Sequence, residues 1–506
     1  MASFGYAPEP FILLCLLVQS FVVLALAFLV SFWPFFRKLI YKSPLRHLPG
    51  PPRASFTKGN LGQLFDQQGW SFHRDIVRHY GGVVKIHGLC GDEQIYVSDP
   101  KALNHVINKD QDIYEETEFF TKTNLVCFGP GIVAVVGEQH RKQRKLMSPV
   151  FNVHNLRGLT PIFHRVSHEL VDVLKSRFDY HGPSTLEIEM FYWLKRTALE
   201  IVGQAGLGYS FGPLGDESIN EYSDSVKNFS PTLFRLSILR QFLPFFSGLG
   251  PAWLRRIVVR SLPIKRIQRL REIVEVMDKT ARLVYAEKCT RLKAGDVAVQ
   301  AQIHERRDMM SVLLRENMLS SEEDKLNDEE FLGQMSILIF AGQDTTAAAF
   351  ARILQTLAEH PEEQVRLRNE LKEANALEGG DLDYDSLHAL PFLDAVCRET
   401  LRLYPPVFML HRTTTRDAIL PLSVPIQSAD QKSTIAAVTL LRNTNVIIAI
   451  EAANRRPDIW GPDATEWRPE RWMGDRSRDG QGERDKCSEE GQTEGRLPGV
   501  YSGLMT

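Results

Sequence analysis

A chain of 506 residues is long enough for one large domain or several ordinary ones. Its hydrophobic content of 43% supports a sizeable core, and a net charge of −2 argues against broad binding to nucleic acid. The six cysteines (Cys15, Cys90, Cys127, Cys289, Cys397 and Cys487) are scattered without a CxxC pair. They read as reduced thiols on a cytosol-facing protein rather than as a disulfide framework or a structural zinc site.

From Phe11 to Phe36 the chain carries no charge, which exceeds the roughly 20 apolar residues that a spanning helix needs. Arg37, Lys38, Lys42 and Arg46 follow, whereas Glu9 is the sole charge before it. This asymmetry predicts an uncleaved single-pass anchor over residues 1–36, with the remainder in the cytosol. Residues 37–53 form a basic, Pro-rich linker, where Pro49, Pro51 and Pro52 favour extended backbone. The remaining unit, residues 54–506, opens with short β-like runs, Val83 to Gly88 and Glu93 to Asp99, and is otherwise dominated by helical periodicity; its length alone would suggest several domains.

Four stretches of this unit carry unusual polarity. Gly137 to Phe151 places Arg141, Lys142, Arg144 and Lys145 behind His140, either a solvated basic face or a site for anions or an acidic partner. Asn228 to Arg271 contains no acid, several arginines, and apolar residues such as Phe242, Phe246 and Trp253. It reads as amphipathic helices with basic faces, or as a second contact with an anionic membrane surface. A long helix begins at the capping box Asn327-x-x-Glu330 and stops at Pro361. Between Glu330 and Arg352 its one charge is Asp344, on the apolar stripe of Ile337, Phe340 and Ala348, with Gly342 and the hydroxyls of Thr345 and Thr346 beside it. Such a carboxylate is bonded to a neighbouring segment, or it forms an acid–alcohol pair where the helix opens beside a cavity. The helix starting at Pro391 puts Glu399 on its apolar stripe with Arg402 three residues on, so the pair is either a surface ion pair or a buried charge network. Residues 474–496 are rich in charge and poor in apolar groups, a polar loop insertion. Val500, Tyr501, Leu504 and Met505 then read as the beginning of a core segment.

In this order, these residues resemble the cytochrome P450 superfamily over nearly the whole chain. Ala341 to Thr346 (AGQDTT) matches its (Ala/Gly)-Gly-x-(Asp/Glu)-Thr segment, Glu399-x-x-Arg402 its Glu-x-x-Arg helix, and Pro469 to Trp472 its Pro-x-Arg-(Phe/Trp) element. The resemblance implies a mainly α (α+β) fold in one catalytic domain over residues 54–506: a helical lobe and a small β-rich lobe, preceded by one N-terminal transmembrane helix. It implies haem b, with propionates held by His140 (where the family often has Trp), Arg144 and Arg412. Asp344 and Thr345 would manage proton delivery, and Glu399, Arg402 and Arg471 would form the charge network behind the cofactor. The implied activity is insertion of one oxygen atom from dioxygen into a lipophilic small molecule at the endoplasmic reticulum membrane. Electrons would come from NADPH-cytochrome P450 reductase docked on the basic helix. Texture is closest to fungal microsomal members, often of secondary metabolism. One departure is large: the family's Phe-x-x-Gly-x-Arg-x-Cys-x-Gly loop, which supplies the iron's thiolate, is absent. Cys487 in GERDKCSEEG does not fit it, so no metal ligand is assigned. A second expectation follows, a catalytically inactive, membrane-anchored fragment truncated before that loop. Nothing resembles a hydrolase nucleophile elbow or HExxH.

Overall fold

The computed structural model describes residues 43–181, 185–215, 221–248, 250–293 and 308–473, with Gln19 alone before them. The expected anchor (apart from Gln19), the 474–496 insertion, Cys15, Cys487 and the residues through Thr506 lie outside the described residues.

Seven strands are found: β1 Val83–His87, β2 Glu93–Val97, β3 Tyr114–Glu116, β4 Leu410–Thr414, β5 Ala418–Gln427, β6 Thr434–Leu440 and β7 Asn445–Ile448. Five of them form one sheet in the order β1-β2-β7-β4-β3, and β5 and β6 form a separate hairpin. The two β-like runs read from the sequence are β1 and β2, paired antiparallel with Val83 opposite Val97. β2 pairs in parallel with β7, and β7 antiparallel with β4. The β-rich lobe therefore joins early strands to strands more than 300 residues later in the chain. Side chains alternate across this sheet, as the two-residue period of a strand requires. Val83, Ile95, Val97, Val446 and Ile448 pack on one face with Leu45 and Leu48, while Val84, Ile86, Tyr96 and Ile447 pack on the other with Leu61 and Leu64. The Pro-rich segment is thus docked: Lys85 N donates to Pro49 O at 2.9 Å, and Asn60 Nδ2 to Pro52 O at 2.9 Å.

The helices used below are, in chain order, α1 Trp70–Tyr80, α2 Glu118–Phe128, α3 Gly137–Met147, α4 Val153–His181, α5 Met190–Ile201, α6 Glu221–Phe234, α7 Ala252–Ser261, α8 Lys265–Lys293, α9 Asp328–Glu359, α10 Pro361–Glu378 and α11 Pro391–Leu403. α9 is the axis of the helical lobe. Both halves of its capping box form: Asn327 Oδ1 accepts from Glu330 N at 2.9 Å, and Glu330 Oε2 accepts from Asn327 N at 3.0 Å. Its Phe331, Met335 and Ile339 share a core with Phe229 of α6 and with Ile273 and Met277 of α8. Among the described residues α9 alone is long and apolar enough to cross a membrane, yet α2, α5, α8 and α11 all pack against it. Close approach to the 129–131 loop explains Gly333, where a Cβ would stand 2.5 Å from Gly131 N.

Candidate active site

α11 contributes a pair of charges sealed from solvent. Glu399 and Arg402 are both 0% exposed. Arg402 donates to both carboxylate oxygens, Nε to Oε2 at 2.8 Å and Nη2 to Oε1 at 2.7 Å. Its Nη1 reaches Asn454 O at 2.7 Å and Ala464 O at 2.6 Å, and Nη2 reaches Glu466 O at 3.1 Å. Glu399 also accepts from Arg468 N at 3.0 Å, from Trp472 Nε1 at 2.9 Å and from Arg471 Nε at 3.4 Å. Arg471 in turn donates to Trp460 O at 2.8 Å and to Asp463 Oδ1 at 3.2 Å. Burial alone would raise the Glu399 pKa. The bonds and charge of Arg402, with the Arg468 and Trp472 donors, outweigh it and hold the carboxyl below its ordinary value. The surface-pair reading of Glu399-x-x-Arg402 is therefore replaced by a charge network that binds residues 454–472 to α11.

On α9 the polar residues have separate partners. Asp344 meets Lys195 of α5, with Nζ 3.2 Å from Oδ1, and accepts from Ser230 Oγ of α6 at 2.7 Å. Thr345 Oγ1 donates back to Ala341 O at 2.7 Å, a local bond of the kind that bends helices. A Cβ on Gly342 would meet Val202 Cγ2 at 2.7 Å, so this glycine admits the turn that follows α5. The carboxylate is thus bonded to neighbouring segments, while α9 runs unbroken through this turn and the threonine hydroxyl bonds back to its own helix. Lys195 and Ser230 carry no signal in the sequence that would pair them with Asp344, because they come from elements 149 and 114 positions away.

A third group gathers cations. His140 of α3 lies in the field of Arg144 and of Arg412 from β4; burial first, and then these two charges, push its pKa below the ordinary value. α3 is locked onto α9 through side-chain amides: Gln139 Nε2 donates to Glu330 Oε1 at 2.8 Å, and the buried Gln334 Nε2 to Gln143 Oε1 at 2.7 Å. Arg412 meets Glu116 of β3, Nη1 to Oε1 at 2.6 Å. Burial pushes the Glu116 pKa up, with Arg412 opposing it, so Glu116 is a readily neutralised competitor for that arginine. Two residues join the group that the sequence did not signal. His411 stacks on Phe65 with centroids 5.8 Å apart and meets Phe119 edge-on at 5.4 Å. Arg240 donates Nε to Thr123 Oγ1 at 3.1 Å. Burial, then Arg240 and Arg412, take the His411 pKa down to about 4.

Arg144 and Arg412, with the imidazole of His140 in their field, suit a ligand that brings carboxylates. The donor set therefore fits the propionate edge of a haem. The iron side is different: burial pushes the Cys127 thiol up to about 12 and the Cys397 thiol up to about 11, so neither is prepared as a thiolate. Cys90 and Cys289 are also free and half-buried, and Cys487 lies outside the described residues.

Comparison with known proteins assigns this helical lobe and small mixed sheet to a class, that of the haem-dependent oxidoreductases. The model of the cytochrome P450 family matches residues 49–486. Cytochrome P450 monooxygenase 91 of Postia placenta is 46% identical over 470 residues, 93% of this chain and 83% of the relative. Cytochrome P450 monooxygenase 81 of the same organism is 44% identical over the same shares. A ganoderic acid synthetase of Ganoderma lucidum is 38% identical over 479 residues, 94% of this chain and 84% of its own. The chain belongs to the cytochrome P450 family, whose cofactor is haem iron, and it is an oxidoreductase of the monooxygenase class.

Two outcomes follow from these groups. Glu399→Gln or Arg402→Leu leaves a buried charge without its partner, at a cost of about 3–5 kcal/mol; urea unfolding should show a fall in unfolding free energy of that size, against little change for Arg468→Leu at the exposed edge. The second concerns pH. The His411 pKa in the folded state lies below its unfolded value near 6.5, so the unfolded chain binds a proton that the folded chain does not. Stability of the haem-free protein is therefore full above about pH 6.5 and declines as pH falls toward 4. His411→Gln should flatten that part of a plot of thermal midpoint against pH.

Proposed function

We propose that this protein inserts one oxygen atom from dioxygen into a lipophilic small molecule, at the cytosolic face of the endoplasmic reticulum membrane, with haem b as cofactor. His140, Arg144 and Arg412 would hold its propionates, and the haem supplies the activation of dioxygen when bound. Asp344, anchored by Lys195 and Ser230, would hold its carboxylate beside Thr345 on α9. Thr345, whose own proton is committed to Ala341 O, has lone pairs free to accept from water and so to position a proton donor. The observation that carries this reading is the convergence of His140, Arg144 and Arg412 from α3 and β4, within a chain of this family. The name of one relative, a ganoderic acid synthetase, supports a lipophilic secondary metabolite as the substrate class. The exposed Arg141 and Lys145 of α3 would receive an acidic NADPH-cytochrome P450 reductase.

The test is haem uptake by the purified chain, read in the reduced carbon-monoxide difference spectrum. Haem uptake with a Soret band in that spectrum is expected; no uptake would overturn the reading in favour of a protein that binds no haem. Given uptake, Thr345→Ala should lower product formed per NADPH consumed on the order of 10²-fold without loss of haem.

Membrane contact would extend beyond the anchor. In the acid-free stretch, Phe246, Trp253 (63% exposed), Ile257 and Val258 face solvent beside the arginines of α7, a composition suited to an anionic interface. With the full chain in vesicles carrying nitroxide-labelled lipid, the fluorescence lost in Trp253→Phe should be the strongly quenched fraction. If that fraction is unquenched, the contact is wrong.

A further inference from the structure

Away from the haem-side residues, α4 presents His164 and His168 one helical turn apart, toward Asp381 in the turn after α10. A cavity of about 940 Å³ opens over them, lined also by Glu169 and Asp172. The ligating atoms of His164, His168 and Asp381 all lie within 4.8 Å of one another. His168 Nε2 is 2.8 Å from Asp381 Oδ1 and 3.0 Å from Oδ2, which an ordinary hydrogen bond explains. His164 Nε2 is 2.7 Å from Leu382 O, and a carbonyl only accepts, so Nε2 donates there and Nδ1 is left to face Asp381 Oδ1 at 3.8 Å.

We propose that His164 Nδ1, His168 Nε2 and the Asp381 carboxylate bind one divalent transition-metal ion of the zinc type, with water from the cavity as fourth ligand. Two imidazoles and one carboxylate are a donor set of the borderline class that such ions prefer. In a tetrahedral site with bonds near 2.1 Å, ligand atoms stand about 3.4 Å apart. The observed 2.8 and 3.8 Å contacts bracket that spacing, so side-chain rotations suffice. The Leu382 carbonyl already supplies the outer hydrogen bond that fixes the tautomer and aim of a metal-bound histidine. Competing positive charge at the rim is committed elsewhere: Arg157 pairs with Asp385 at 2.7 Å, and Arg165 bonds Gln204. A bound ion would clip α4 to the segment joining α10 and α11, and so brace the helix that carries Glu399 and Arg402.

The experiment uses the full chain in detergent, stripped with a chelator and titrated with zinc alone against a chromophoric competitor. One ion per chain is expected, at a dissociation constant of about micromolar order. His168→Gln and Asp381→Asn, both at exposed positions, should each weaken it about tenfold or more, while the remote His154→Gln leaves it unchanged. Cobalt substitution should give the visible bands of four-coordinate cobalt, lost in the same two variants with unaltered far-UV circular dichroism. The proposal fails if the parent binds zinc no tighter than millimolar, or if both variants bind as the parent does.

Discussion

Glu399 and Arg402 form the contact on which the other arrangements rest. Neither side chain touches solvent, so each depends on the other and on the carbonyls and donors around them. Arg402 makes bonds to residues 454, 464 and 466, and Glu399 to 468, 471 and 472. An irregular stretch of chain with little regular structure of its own is thereby held against α11 by charge. A half-satisfied network in a low-dielectric interior is worse than none, which makes this region cooperative. Because α11 also packs along α9, the same contact sets the floor beneath the helix that carries Asp344 and Thr345.

Around α9 the polar groups divide the labour by direction. At its start, Glu330 and Gln334 tie α3 down and so bring His140 and Arg144 toward Arg412 of β4. In its middle, Asp344 is drawn sideways to Lys195 and Ser230, while Thr345 turns back along its own helix. One helix thus brings His140 and Arg144 toward Arg412 through hydrogen bonds and not through apolar packing alone. Hydrogen bonds are directional, so they fix the aim of a side chain more closely than apolar packing does.

Much of this was legible beforehand, and for identifiable reasons. The capping box of α9, its stop at Pro361 and the first-turn Pro391 of α11 are local rules, satisfied by residues within a turn of one another. The strands at 83 and 93 were visible as β-branched runs. Asp344 and Glu399 stood out because a charge on an apolar stripe needs an explanation. Lys195, Ser230, Arg240, His411 and Glu116 did not stand out, since nothing in their own neighbourhoods is unusual. The histidines at 164 and 168 share a helix face by spacing, but the carboxylate that meets them is more than 200 residues later.

The sequence by itself determined the start and stop of α9 and α11, that Asp344 and Glu399 lie on apolar stripes, and the family to which the motif order belongs. These depend on short-range periodicity and on the cost of desolvating charge, both of which are properties of residues and their spacing. Only the tertiary structure decided which partner each charge took: Lys195 and Ser230 for Asp344, Glu116 for Arg412, and a string of backbone carbonyls for Arg402. Pairing depends on distances through space between segments up to 300 residues apart, and no local pattern encodes such distances.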